Sequence, residues 1–318
     1  MTVQAIPRGC MRYLLIVVLG WLPLLAGAVD FDDSTRNLPL GRVMQVFEDT
    51  DGSASIEQVS SPAFAASFKA HPADVLNAGY STSAFWLKVD LRYIAMPQAA
   101  PRTWLLELAY PPLDHLELYL ADASGRYRLV QRTGDALPYA SRQIEQANYV
   151  FELPMQPDQA LTAYLRLQSE GSIQAPLSLW STQAYIEALP AKIYVLGLIY
   201  GVLLGMLVYN LFIYISVRDI SYLWYILYIA SFGLYQLSVN GAAVAYLWPN
   251  SPWWANASTP LFIGAAGLFG CLFARSFLRL ASHSRAFDRL LQGLVICSAL
   301  VMLMSLASGS VSYTHLTL

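Results

Sequence analysis

The second half of this chain contains four long apolar stretches, roughly residues 193–217, 222–239, 259–277 and 290–308, and the first half has none like them once its opening segment is passed. Each approaches or exceeds the roughly 20 residues a helix needs to cross the hydrocarbon core of a bilayer. None carries Asp, Glu or Lys in its central turns. A helix bundle solvated by water would show polar faces, so these segments predict an all-α polytopic membrane bundle with lipid as its solvent.

Charge divides the chain at the same place. Residues 29–190 hold 19 acidic side chains against 11 Lys and Arg, whereas residues 191–318 hold only two acids, Asp219 and Asp288, and six bases. Charged residues make up 13% of the chain, about half the usual share of a soluble domain. That composition excludes a wholly soluble protein and excludes intrinsic disorder. A formal net charge of −2 leaves no basic surplus for nucleic acid, which is therefore not an expected partner.

Arg218 and the group Arg275, Arg279, Arg285 and Arg289 flank the apolar stretches, while residues 240–258 carry no charge. The positive-inside rule places those arginines in the cytoplasm and the first half of the chain outside. Trp248, Trp253 and Trp254 fall between the second and third stretches, at the depth of an interfacial aromatic belt. Gly197, Gly201 and Gly205 recur every four residues in the first stretch. That spacing predicts close approach of a neighbouring helix, with Asn210 hydrogen-bonding across the same interface.

The start of the chain fits export. Arg8 and Arg12 precede an uncharged run that ends in Ala26-Gly27-Ala28, a charged, apolar and small-residue order that predicts a signal peptide over residues 1–28. Cys10 falls inside it, and Cys271 and Cys297 fall in the apolar half. The exported half, residues 29–188, thus has neither disulfide nor thiolate metal site and must be held by core burial.

That half alternates with period two. Phe85, Leu87, Val89, Leu91 and Tyr93 share one face, and Trp86, Lys88, Asp90 and Arg92 the other. Residues 115–120, 149–153 and 161–168 repeat the rhythm, separated by turn signals such as Pro111-Pro112 and Asp122-Ala123-Ser124-Gly125. Many short alternating strands predict an all-β sandwich, with no sustained helical period in this region. Its outward faces mix aromatic rings with hydrogen-bonding groups: Trp86, His115, Glu117, Tyr119, Tyr164 and Arg166, with Trp180 nearby. Such a surface suits a small, sugar-like ligand, whose C–H faces stack on rings while its hydroxyls meet side chains.

No HExxH, phosphate loop, GxSxG or metal-ligand cluster occurs, and His71, His115, His283 and His315 are scattered. No acid or Lys sits mid-membrane as ion coupling would need. Catalysis, metal and cofactors are accordingly not expected.

Across both halves the sequence resembles the bacterial seven-transmembrane receptors with diverse intracellular signalling modules. The matching stretches in the first half are Ser83-Ala84-Phe85-Trp86-Leu87, Trp104-Leu105-Leu106-Glu107-Leu108 with Tyr110-Pro111-Pro112-Leu113-Asp114, and Arg166-Leu167-Gln168-Ser169-Glu170-Gly171-Ser172. In the second half they are Tyr200-Gly201-Val202-Leu203-Leu204-Gly205-Met206 with Tyr209-Asn210-Leu211-Phe212, and Arg218-Asp219-Ile220-Ser221-Tyr222-Leu223. Trp248-Pro249 with Trp253-Trp254-Ala255-Asn256, and Phe273-Ala274-Arg275-Ser276-Phe277-Leu278, continue the order.

The resemblance implies a jelly-roll periplasmic domain similar to carbohydrate-binding modules, seven spans, and a cytoplasmic output such as a diguanylate cyclase or histidine kinase. Only four spans are expected here, over residues 189–310, and residues 311–318 break the apolar pattern as a non-native tail would. The chain is therefore expected to be a truncated piece of a sensory receptor in the bacterial inner membrane, without catalysis of its own. Its expected partners are a periplasmic ligand, the lipid bilayer and a second copy of the chain. A transport- or channel-associated protein is the alternative, favoured by a polar path through the spans. A tethered glycan-processing enzyme would need paired carboxylates, for which Asp90, Asp114 and Glu117 are the candidates.

Overall fold

The computed structural model describes residues 28–96 and 102–314. The export signal expected at 1–28 lies outside the described residues but for Ala28, and of the expected tail only the backbone of 311–314 is described, as the end of a helix.

Thirteen strands among the described residues precede the membrane helices. They are β1 (Val29–Asp32), β2 (Asn37–Pro39), β3 (Gln45–Asp49), β4 (Lys69–Ala70), β5 (Leu76–Tyr80), β6 (Ala84–Ile94), β7 (Trp104–Leu108), β8 (His115–Ala121), β9 (Tyr127–Thr133), β10 (Tyr149–Leu153), β11 (Ala160–Gln168), β12 (Ser172–Ala175) and β13 (Leu177–Ser181). A seven-stranded sheet runs β4-β3-β6-β11-β8-β9, with β1 parallel to β6; a four-stranded sheet runs β10-β7-β13-β2; and β12 pairs with β5. The architecture is a β-sandwich joined to a helical membrane domain.

The alternation read from the sequence is the cause of the sandwich. Phe85, Leu87, Val89, Leu91 and Tyr93 of β6 all point into one core with Leu116, Leu118 and Leu120 of β8 and Leu161, Ala163, Leu165 and Leu167 of β11. The four-stranded sheet answers with Trp104, Leu106 and Leu108, Tyr149 and Phe151, and Leu177 and Leu179. Each large side chain so buried contributes roughly 1.5–3 kcal/mol.

Three short helical turns interrupt the strands, one of them the 3-10 turn Tyr139–Ser141. A short helix α1 (Ile56–Val59) and a 3-10 turn (Pro62–Ser67) lie between β3 and β4. Ser55 and Gln58 form a capping box, in which the Gln58 N–H donates to Ser55 Oγ and the Ser55 N–H donates to Gln58 Oε1 at 3.0 Å. A helix of one turn has no period to display in the sequence.

The helical half comprises α2 (Thr182–Val217), α3 (Ile220–Val239), α4 (Ala242–Tyr246), α5 (Pro252–Phe277), α6 (Leu280–His283) and α7 (Arg285–Thr314). Four of these, α2, α3, α5 and α7, are long and apolar enough to cross a membrane. α5 lies between α3 and α7 and packs on both, whereas α2 packs mainly on α3. Arg275 Nε donates to Asp288 Oδ1 at 2.8 Å, tying the end of α5 to the start of α7.

Among the described residues, no helix meets the glycine stripe of α2. A Cβ built on Gly197, Gly201 or Gly205 would meet nothing within 4 Å. α2 instead turns Leu196, Tyr200, Leu203, Leu207 and Asn210 inward, a seam one position off the glycines. Asn210 is buried but donates to Met206 O of its own helix at 2.8 Å, not across an interface. Close approach occurs elsewhere. A Cβ on Gly264 would lie 2.9 Å from Met302 Cγ, and one on Gly267 would lie 2.9 Å from Ser298 Oγ, both on α7. Gly270 faces Tyr228 of α3.

Candidate functional site

The outer face of the seven-stranded sheet gathers six of the seven residues nominated for ligand binding. Strand register makes the grouping. Phe47, Trp86, Arg166, Glu117 and Arg132 stand side by side across β3, β6, β11, β8 and β9. In the next line Gln45, Lys88, Tyr164 and Tyr119 are neighbours. His115 opposes Gln168 at the end of the face and is exposed.

The centre of this face is closed. Ile56, Val59 and Phe68 from the segment around α1 bury Trp86 completely and Tyr164 almost so. Phe47, Phe64, Tyr119 and Tyr127 complete an aromatic layer. The Trp86 and Tyr119 rings are 5.5 Å apart, and Tyr127 meets Tyr164 edge-on at 4.8 Å. Burial holds the Tyr164 and Tyr127 hydroxyls above the ordinary phenol range, so both stay neutral. The Trp86 indole N–H, inside this layer, has no acceptor among the described residues. A buried donor left unpaired costs about 1–3 kcal/mol.

A polar margin adjoins the aromatic layer. Glu117 accepts from Tyr119 Oη at 2.6 Å and from Arg132 Nε at 2.8 Å. Burial first, and then the bond to Glu117, push the Tyr119 phenol far up. Lys88 pairs with Asp90 at 3.1 Å, and Thr162 Oγ1 also donates to Asp90. Arg166 Nη2 donates to Gly52 O and to Gln168 Oε1, each at 3.0 Å. Gly52 lies in the turn after β3, which is thus held over the guanidinium; its φ of +64° suits glycine. A ligand able to replace Gly52 O and accept from the Trp86 indole would compete with the segment covering both.

Trp180 does not join this group. It lies on β13 in the other sheet, where its indole N–H donates to Glu107 Oε2 at 2.8 Å and its ring stacks edge-on with Tyr185. Alternation fixes which side of a strand a residue takes but not which sheet the strand enters. Glu107 also accepts from Asn148 Nδ2 at 2.7 Å and from Lys192 Nζ of α2 at 3.4 Å. A groove of about 620 Å³ opens between the free edges of β9 and β10, lined in part by Arg128, Val130 and Glu152. None of the seven nominated residues lines it.

Sequence reasoning passed over Phe47, Phe64, Phe68 and Tyr127, and it passed over the cover itself. The Ser55-Ile56-Glu57-Gln58 capping signature, followed by spaced apolar residues, was the available signal.

The sandwich passes into the membrane without a linker. Ser181 ends β13 and caps α2, its Oγ accepting from the Ala184 N–H. Thr182 donates through both N–H and hydroxyl to Thr103 O, and Arg36 pairs with Glu187. At 36 residues, α2 is about 54 Å long at 1.5 Å per residue, one continuous helix that leaves the sandwich and runs on into the first apolar span, with Pro190 removing one backbone hydrogen bond between the two parts.

Comparison with known families divides the chain at the same junction. The model described as 7TMR-DISM extracellular 2 matches residues 41–181, and the model described as 7TM diverse intracellular signalling matches residues 192–318. No curated protein matches the chain.

Proposed function

Because the chain belongs to the seven-transmembrane receptor family with diverse intracellular signalling modules, we propose that its sandwich senses a small polar ligand at the face beneath the 55–68 cover. Family membership makes the chain a membrane-embedded sensory receptor with an extracellular N-terminal domain. The finer reading concerns what it senses and how.

The ligand is sugar-like, stacked on Trp86 and Tyr119 with its hydroxyls or carboxylate meeting Arg166 and Glu117. Binding requires the cover to move, so the ligand selects a cover-open arrangement and shifts the population toward it. The observation that carries this reading is the unbroken passage from β13 into α2, reinforced by Glu107 and Lys192. A sheet that changes shape must then tilt or translate the first span. The chain itself performs no catalysis; an output module such as a cyclase or kinase would read the helix movement. We place it in the bacterial inner membrane with the sandwich in the periplasm and Arg218 and the 275–289 arginines on the cytoplasmic side. A second copy of the chain is the expected assembly partner.

The test is a thermal-shift screen of the full chain in detergent against neutral hexoses and hexuronates. A stabilising sugar should lose its effect in Trp86→Ala and Arg166→Ala. Shifts that survive both substitutions unchanged would place the ligand elsewhere.

A further inference from the structure

At the end of the sandwich nearest the helices, a buried carboxyl, Asp135, meets a half-buried one, Asp114. The turn after β9 folds back along the start of β8, with the Asp135 N–H donating to Leu113 O at 2.9 Å and the Ala136 N–H to Asp114 O at 3.3 Å. Gly134 allows this approach, since a Cβ there would lie 1.8 Å from Asp114 O. These backbone contacts set Asp135 beside Asp114, close enough for each carboxyl to act on the other.

The two acids are not equivalent. Asp114 Oδ2 accepts from Ser169 Oγ at 2.9 Å and from the Glu170 N–H at 2.6 Å. Asp135 is 8% exposed, and no donor reaches its Oδ1. Burial first, then the Asp114 charge, hold the Asp135 carboxyl well above the ordinary carboxylate range. Its surroundings therefore favour the protonated form of Asp135, whose hydroxyl can donate to Asp114.

The groups around this pair also hold the contact with the membrane helices. Arg142 is buried, with its guanidinium 4.4 Å from the centre of the Tyr149 ring. Its Nη1 donates to Gln146 O and Ala147 O, while its Nε finds no acceptor among the described residues. Tyr149 Oη donates to Pro111 O at 2.7 Å. Those two turns rest on Gly241, just before α4, where a Cβ would lie 2.9 Å from Pro111 Cβ and 3.0 Å from Ala147 O. Beside them the Tyr139 N–H donates to Pro249 O at 3.0 Å.

We propose that this joint is a second sensory input whose ligand is the proton: with one proton shared by Asp114 and Asp135 the sandwich seats on the 241–249 connection, and with that proton lost it lifts away. Loss of the proton puts two carboxylates against each other. The nearest cation is Arg142, whose unpaired Nε lets it turn from the Gln146 and Ala147 carbonyls to the acids, releasing the turn that rests on Gly241. The titratable and charged groups facing Asp135 are Asp114 from the start of β8, Arg142 from the 138–148 segment, Tyr149 from β10 and Tyr110 from the turn after β7. Both Tyr149 and Tyr110 are held neutral by burial, which leaves Arg142 as the responding charge.

The sign follows from linkage. The seated state binds more protons than the open state between the ordinary and the raised carboxylate range. The contribution is complete at acidic pH and disappears as pH rises through the raised value. The inference is independent of any ligand on the sheet face.

Hydrogen exchange on the full chain in lipid nanodiscs tests it, without added ligand, at about pH 5 and about pH 9 and corrected for intrinsic rates. Protection in peptides covering 139–148 and 241–249 should fall at least about tenfold at the higher pH, and Asp135→Asn should keep it at both. Equal wild-type protection at both pH values, or an equally pH-dependent Asp135→Asn, overturns the proposal. Should Asp135→Asn fail to fold, a ¹³C-carboxyl titration of the wild type decides. A midpoint for Asp135 above the ordinary carboxylate range supports the switch, and one within that range refutes it.

Discussion

Replacing Glu107 with Ala removes one acceptor from three donors that come from three parts of the molecule. Glu107 is 3% exposed on β7 and accepts from Trp180 of β13, Asn148 before β10 and Lys192 of α2. Trp180 and Asn148 are half-buried, and each loses a bond to a charged acceptor, about 1–2 kcal/mol apiece. The Lys192 side chain is 46% exposed and rehydrates readily, so its share is below about 1 kcal/mol. The loss is about 2–4 kcal/mol, which for a domain of this size lowers Tm by about 6–12 °C. Glu107→Gln, which retains one acceptor oxygen, should lose about half as much. Intrinsic fluorescence during a thermal scan of the full chain in detergent measures the shift. A Glu107→Ala protein melting within about 2 °C of wild type would refute the reasoning. So would Lys192→Met producing an equal loss, because the weight would then lie on the exposed ion pair.

Gly134→Ala and Gly125→Ala form a matched pair, since both glycines have positive φ but only Gly134 meets backbone, at 1.8 Å. The Gly134 substitution should destabilise the sandwich by about 3 kcal/mol or more and the Gly125 one by about 1–2, measured by the same thermal scan. Gly201→Ile should leave monomer stability within about 0.5 kcal/mol, because no atom of the described residues lies within 4 Å of a Cβ there. Gly267→Ile, against Ser298, should be strongly destabilising in the same detergent.

Which of these features the sequence reveals depends on the range of the forces involved. Period-two alternation placed Leu87, Leu118 and Leu165 in the core, and the same parity put Trp86, Glu117, Tyr119, Tyr164 and Arg166 outside it. Parity is local, and it survives folding. It does not say what lies over a face, so the cover from residues 55–68, brought in by chain some twenty to thirty residues before Trp86, turned that open-looking surface into a closed one. Glycine spacing shows the same limit. Gly197, Gly201 and Gly205 mark a smooth stripe, but α2 sits at the edge of the described helices, and it is Gly264, Gly267 and Gly270 on the middle helix that meet neighbours.

The sequence by itself determined the division of the chain, because the solvent of each half is written in its charge density: water for the strands, lipid for the spans. It also determined the inward residues of β6, β8, β10 and β11. Tertiary structure alone decided that Trp180 belongs to the second sheet with Glu107 and Lys192. It alone brought Asp114 and Asp135 together across the β8–β9 hairpin beside Arg142. Pairing of that kind depends on which backbones find each other, and a carboxyl changes character only when a distant segment removes its water.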